Sequence, residues 1–234
     1  MKRSLLTISA LAAFTCSLLG AEPKEAVKTA AKKLAGKSSY SWVATPKSEG
    51  TSNSAGPGPT EGKTEKEGFT YVTFSIGNND IELAFKGDKA AIKRESEWQG
   101  TDELDGSSAW IAKRLKQFKA PAAEAEDLVE KVDELKKGEG GLYSGELTES
   151  GVKELFARAR RREAGDAPEG AKGTAKFWVK DGMLSKYQYN LQGKVTVGED
   201  KREVEINRTT TVEIKDVGST TVKVPDEAKK KLGA

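Results

Sequence analysis

A chain of 234 residues with 39 basic and 36 acidic side chains, net +3, carries no field strong enough to mark a nucleic-acid binder. It has no histidine, and its one cysteine is Cys16 near the start. With that leader removed, disulfides, Cys/His metal centres and Cys–His or Ser–His–Asp catalysis are all excluded, and the remaining length suits one domain with a sizeable core.

Lys2 and Arg3 precede an apolar run from Leu5 to Leu19 that closes in Gly20 and Ala21. A charged start, a short apolar run and small residues read as a secretory signal peptide over residues 1–21, cleaved before Glu22. The run is short for a membrane span, and no later run is longer, so no transmembrane segment is expected after cleavage. Cys16, with Thr15 before it and Ala13 three before, departs from the lipoprotein pattern of a small residue and a leucine at those places. Loss of Lys2 and Arg3 leaves 37 basic against 36 acidic residues. A secreted chain with no cysteine left is ordinary for a bacterial envelope, so export to the periplasm or cell envelope is the expected localisation.

Residues 22–234 read as a single domain. Ala26, Val27, Ala30, Ala31 and Leu34 recur at helical spacing, with Gly36 placed to end the helix. Tyr40, Trp42 and Ala44 alternate as a first strand. Residues 46–66, rich in Gly, Ser, Pro and Thr, have no apolar period and read as a mobile loop. Phe69–Ile76 is a strand and Gly77–Asp80 a turn. Ile81, Leu83 and Phe85 then face one way, and Ala90–Trp98 pairs back. The middle is helical. One helix carries Ile111, Leu115 and Phe118, and Pro121 opens another with Ala125, Leu128, Val129, Val132 and Leu135 as its stripe. A short strand, Leu142–Leu147, leads to a third helix holding Val152, Leu155, Phe156 and Ala159. Residues 165–173 are a loop, and Phe177 and Val179 begin the final sheet.

The longest pattern follows the Asp181-Gly182 turn. Tyr187, Tyr189, Leu191, Gly193, Val195 and Val197 alternate with polar residues. After a turn at Gly198, Glu199 and Asp200, Val204, Ile206, Val212 and Ile214 share one side, and Val222 and Val224 mark a further strand. Met183–Val197 alone would span about 50 Å at 3.3 Å per residue, against a radius of gyration of about 17 Å for a compact domain of this size. Strands that long must coil around something. The expected fold is α+β: a strongly curved antiparallel sheet, an incomplete β-barrel, with helices covering its concave face.

Motifs for chemistry are weak. Ser150 and Lys153 match S-x-x-K and Lys172-Gly173-Thr174 echoes a partner triplet in the wrong order, with no S-D-N element. Asp102, Glu103 and Asp105 sit where acids cap a helix rather than where a glycosidase pair is expected. Arg158, Arg160, Arg161 and Arg162 form one basic cluster at a helix end and read as a solvated face. Asn207-Arg208-Thr209 matches the glycosylation pattern by chance. No catalytic residue, metal site or cofactor is assigned.

Ser38-Ser39-Tyr40-Ser41-Trp42 after a short helix, Tyr143-Ser144-Gly145-Glu146-Leu147-Thr148 before a helix, and Phe177-Trp178-Val179-Lys180-Asp181-Gly182-Met183-Leu184 resemble segments of bacterial outer-membrane lipoprotein carriers and envelope lipid-binding lipoproteins. So does Asp216-Val217-Gly218 leading to Val222-Lys223-Val224-Pro225. The resemblance covers most of the chain after residue 21. It implies a half-barrel whose hollow face, lidded by helices, receives acyl chains. No site residue carries over from that family one by one.

The expected function is therefore a non-enzymatic carrier that holds an acyl chain or other lipophile, such as the lipid of a lipoprotein, with an envelope protein as a second candidate partner. The expected lining is Tyr187, Tyr189, Leu191, Val195, Val197, Val204, Ile206, Val212 and Ile214 from the sheet. Ile111, Leu115, Phe118, Leu128 and Val132 are expected from the lid. The alternative is an envelope interaction module whose helices plug the concave face and leave no internal ligand.

Overall fold

The computed structural model describes residues 22–49, 58–77, 79–159, 168–197 and 202–234. The expected signal peptide at residues 1–21 with Cys16, the arginines at 160–162 and the expected turn at 198–200 lie outside the described residues, as do the side chains of Val195 and Val197.

Two antiparallel meanders build the molecule. The first comprises β1 (Ser39–Glu49), β2 (Thr60–Glu65), β3 (Phe69–Ile76), β4 (Asn79–Lys86), β5 (Lys89–Arg94) and β6 (Glu97–Gly100). The second comprises β7 (Lys136–Lys137), β8 (Leu142–Glu146), β9 (Glu169–Lys180), β10 (Met183–Val197) and β11 (Arg202–Lys215). They join where β11 pairs with β1, giving one 11-stranded sheet in the order β6-β5-β4-β3-β2-β1-β11-β10-β9-β8-β7. β6 and β7 do not pair with each other, so the barrel is incomplete. Side chains from strands in both meanders meet in one core cluster, which requires the sheet to wrap round on itself.

Helices α1 (Pro23–Ala35), α2 (Ala109–Lys116), α3 (Pro121–Glu130) and α4 (Glu149–Ala159) contribute to the core on the concave face. α1 begins with Pro23, carries Glu25 in its first turn and Lys32 and Lys33 in its last, all suited to the helix dipole. Its stripe of Val27, Ala30, Ala31 and Leu34 is wholly buried. Helix α5 (Asp226–Lys231) lies on the opposite, convex face. There Ala228, Leu232 and Val224 pack with Ala84, Ala91 and Trp98 in a second, smaller cluster.

The Asp181-Gly182 turn forms as expected, both residues at positive φ (52° and 69°), between β9 and β10. β10 runs the full Met183–Val197. A bulge between Leu184 and Lys186 shifts its register, so Leu184 joins Tyr187 on the buried side and Ser185 donates to the Trp178 carbonyl (3.0 Å). Outside, the face is polar: Gln188 donates to Thr211 (2.8 Å), and Asn190 to Asn207 (2.8 Å) and Thr209 (3.0 Å). Asn207 of the glycosylation pattern is thus part of a cross-strand ladder.

Several expectations are corrected. Ala90–Trp98 is two strands, folded back at Glu95 and Ser96, whose φ values of 48° and 76° make the left-handed turn that a two-residue hairpin needs. The stripe begun at Pro121 outlasts its helix, because α3 stops at Glu130. Val132 and Leu135 are buried as extended chain, where Asp133 donates to the Glu146 carbonyl (2.9 Å) and Val132 bridges to Leu147. β9 begins at Glu169, inside the expected loop. No strand forms at Val222–Val224. The Val222 N–H goes to the Glu65 carboxylate (3.1 Å) instead of a ladder, and Pro225 leads into α5.

Of the thirteen described residues in the expected loop at 46–66, ten are strand. β1 extends to Glu49, which faces Asn207, and β2 occupies Thr60–Glu65; residues 50–57 lie outside the described residues. β2 shows no apolar period because its buried position is a glycine. Gly62 lies beneath Trp42, and a Cβ there would stand 2.1 Å from the indole ring. Gly62→Val should therefore cost about 1–3 kcal/mol, the usual range for overpacking. Urea unfolding followed by tryptophan emission measures it, and an unchanged midpoint would show that Trp42 has room to move.

Candidate functional site

Cross-strand register assigns the concave face without ambiguity. Trp42, Ala44, Pro46 and Ser48 of β1, in line with Tyr40, face Ile214, Val212, Thr210 and Arg208 of β11, and the last three of these face Tyr187, Tyr189 and Leu191 of β10. On the other side of β1, Gly62 faces Trp42, Val72 faces Gly62, and Leu83 faces Val72, with Phe74 opposite Ile81 one row on.

One end of this face is filled. α1 and α3 lie side by side, with Lys24 Nζ donating to the Val132 carbonyl (2.5 Å). Tyr40, 3% exposed, belongs to the same packed end. Phe118, just past α2, stacks on Phe85 (centroids 4.2 Å apart) and faces Trp42 (6.4 Å).

Burial then falls away along the strands. Tyr40 and Trp42 are buried, Ala44 and Pro46 half-buried, and Ser48 exposed. Val72 is buried, Phe74 half-buried and Ile76 exposed. Leu83 and Phe85 are buried while Ile81 is half-buried. On β11 Val212 is 2% exposed, and Thr210, Arg208, Ile206 and Val204 beyond it are all half-buried. β10 differs, because Leu191 and Gly193 remain covered, near Leu147 and Pro168. The accessible apolar surface therefore lies on the β1–β4 and β11 side.

Between the filled and open ends sits a polar group of residues. The Tyr187 hydroxyl donates to Glu124 Oε2. Burial pushes the enclosed Glu124 carboxyl above the ordinary carboxylate range, against the opposing pull of Tyr187 and of Arg158. Burial, reinforced by Glu124, also raises Tyr187, and Tyr189 is pushed up to about 12 by the same causes despite Thr210 and Arg208. On the outer side of α3, burial would raise Asp127. Lys119 (2.7 Å), Lys131 (3.1 Å) and Arg158 (3.1 Å) overcome it and hold the carboxyl at about 2. Glu154 of α4 joins Lys131 (3.0 Å) and Arg158 (2.5 Å), and Arg114 of α2 donates to the Arg158 carbonyl (2.9 Å). α3 and α4 are thus tied by an ionic network that a hydrogen bond extends to α2.

The fourteen expected lining residues divide. Tyr187, Leu191, Val212, Leu115, Leu128 and Val132 are 8% exposed or less and belong to the packed core rather than to an accessible lining. α1 packs against β10, and Glu124 of α3 reaches Tyr187. Tyr189, Ile206, Ile214, Ile111 and Phe118 are half-buried against the same core, and Val204 is half-buried further along β11. Val195 and Val197 sit on β10, with side chains outside the described residues.

Two residues of this site escaped sequence reading. Glu124 lies between Ala122 and Ala125, both buried, so its position against the sheet was there to be found. Arg208 falls in the even-numbered series of β11 that carries Val204, Ile206, Val212 and Ile214. The other motifs gather no site. Ser150 and Lys153 are exposed in the first turns of α4, whose start is capped by Thr148 Oγ1 accepting from the Gly151 N–H (3.0 Å). Glu103 accepts from the Gly100 N–H (2.7 Å) and pairs with Lys231 (2.5 Å).

The architecture is that of an incomplete barrel with helices on its concave face. Solved structures similar to this chain include lipoprotein LppX of Mycobacterium tuberculosis, at 11% identity, covering 86% of this chain and 97% of that one with a TM-score of 0.46. LprF from Mycobacterium bovis follows at 10% identity, covering 88% and 97%, with a TM-score of 0.44. A LolA-superfamily protein from Nitrosomonas europaea gives 9%, 88% and 96%, with a TM-score of 0.34. No family model and no curated protein matches the chain in sequence.

Proposed function

We propose that this chain is an exported, non-enzymatic carrier that holds an acyl chain or another lipophile in the open half of its concave face. The observation that carries the reading is the fall in burial from Val72 to Phe74, from Leu83 to Ile81 and from Val212 to Ile206. It leaves apolar side chains half-covered at one end of a face whose other end is packed. Each CH₂ moved from water into such a place contributes about 0.8 kcal/mol, so a long alkyl chain supplies ample affinity without any reaction. Residues 1–21 would direct the chain to the periplasm or cell envelope of a bacterium. Among the described residues no helix is long and apolar enough to cross a membrane.

Titration with a fluorescent fatty acid tests the proposal. The protein should bind it saturably near one per chain. Ile81→Asp, placing a charge on the half-buried rim, should weaken binding at least about tenfold while leaving the unfolding midpoint within about 1 kcal/mol. No uptake, together with no lipid recovered by mild extraction, would sink the carrier. It would leave an interaction module that meets an envelope partner through its outer surface.

A further inference from the structure

Arg208 is the one charged side chain, among those described, that register places on the concave face of β1–β4 and β8–β11. It stands between Ser48 on β1 and Leu191 on β10, one row beyond the pair of Tyr189 and Thr210. It is half-buried, and no ion pair to a described carboxylate satisfies it. The neighbouring cation, Arg158, is by contrast committed to Asp127 and Glu154. A guanidinium drawn partly out of water without a counter-charge is unfavourable unless something else supplies one. Among the described residues its neighbours in register are Leu191, Ser48, Thr210 and Tyr189, which offer hydrogen bonds but no negative charge.

We infer that Arg208 is the head-group anchor of the lipophile site, and that the ligand class is an amphiphile with one anionic oxyacid head, carboxylate or phosphate, on an alkyl tail. The planar guanidinium donates two parallel hydrogen bonds to such a head, a geometry an ammonium cannot match. The hydroxyls of Ser48 and Thr210 flank it on β1 and β11 and can donate to the remaining oxygens. The tail then runs over the half-buried apolar rim at Ile206, Phe74 and Ile81. This rests on the carrier reading and adds to it a choice of ligand that the apolar rim alone does not make.

The test compares three probes with the same sixteen-carbon tail: palmitate, hexadecyl phosphate and hexadecanol, each competed against a fluorescent lipid on the full-length protein. Wild-type protein should prefer one or both anions over the alcohol by about tenfold or more, the usual gain from a charge-assisted bond. The better of the two anions tells a fatty acid from a phosphorylated lipid. Arg208→Gln should erase the preference by weakening the anions far more than hexadecanol, and Arg208→Lys should restore only part of it. Equal binding of all three probes by wild-type protein, or a preference that survives in Arg208→Gln, overturns the anchor but not the carrier. Failure of all three to bind overturns both. Because the readout is a ratio between probes on one protein, a modest loss of stability in either variant does not imitate the result.

Discussion

Phe177→Ala should lower the unfolding free energy by about 3–5 kcal/mol, the range for removing a buried aromatic from a core. Phe177 is completely buried toward the end of β9, with Tyr143 opposite on β8 and Tyr187 opposite on β10. Tyr187 is itself fixed from above by Glu124 of α3, so the neighbours cannot slide in to fill the space. Against a total stability of about 5–15 kcal/mol for a domain, this is a large fraction, and a urea midpoint read by circular dichroism measures it directly. Trp178→Ala, one residue along and half-buried on the convex side under Lys186 (4.3 Å), is the control and should cost far less. Equal losses from the two would show that the helices do not pack tightly on the second meander, and the division into a filled and an open end would fail with it.

The second large effect is a dependence on pH that belongs to one carboxyl. Glu124 has its pKa raised in the folded chain, chiefly by burial, so the fold binds its proton more tightly than the unfolded chain does. Its contribution is therefore fully present below the unfolded value, about 4.3. It is lost as pH rises through the folded value, with a slope of about 1.4 kcal/mol per pH unit between the two. Glu124→Gln keeps an acceptor for the Tyr187 hydroxyl and cannot ionise. The variant should match wild type near pH 4 and exceed it in stability at pH 8. Asp127 acts in the opposite sense. Its depressed value, about 2, gives stability above its unfolded value that is lost as pH falls toward 2, so the two groups act in separate windows. Parallel stability curves for wild type and Glu124→Gln across pH 4–8 would refute an ionisable carboxyl at this place.

How far the residues foretold the molecule depends on what each pattern encodes. The fifteen-residue alternation of β10 and the turn at Asp181 and Gly182 were plain, because period-two burial and positive φ write directly into residue type. The stripe of α1 was equally plain. β2 was not, since Glu61, Lys63 and Glu65 on one side, and two threonines with a glycine beneath Trp42 on the other, leave no apolar trace of pairing. The stripe Leu128, Val132, Leu135 misled about the end of α3 because burial continues after the helix does, along the edge of β8. Apolarity alone also could not separate Val212, sealed under the helices, from Ile206 six residues earlier, which is half open. That difference depends on where α1 and α3 come to rest, which is a tertiary outcome.

The seam between β1 and β11 has a consequence for how the molecule is made. Ser41 meets Lys215 and Glu49 meets Asn207, so an early strand waits for a very late one. Until then β1 offers a bare row of amide and carbonyl groups, an invitation to mispair with other chains. A chain truncated before β11 would not be a smaller cup but two disconnected fans, and any agent that shields β1 during synthesis would govern the yield of finished protein.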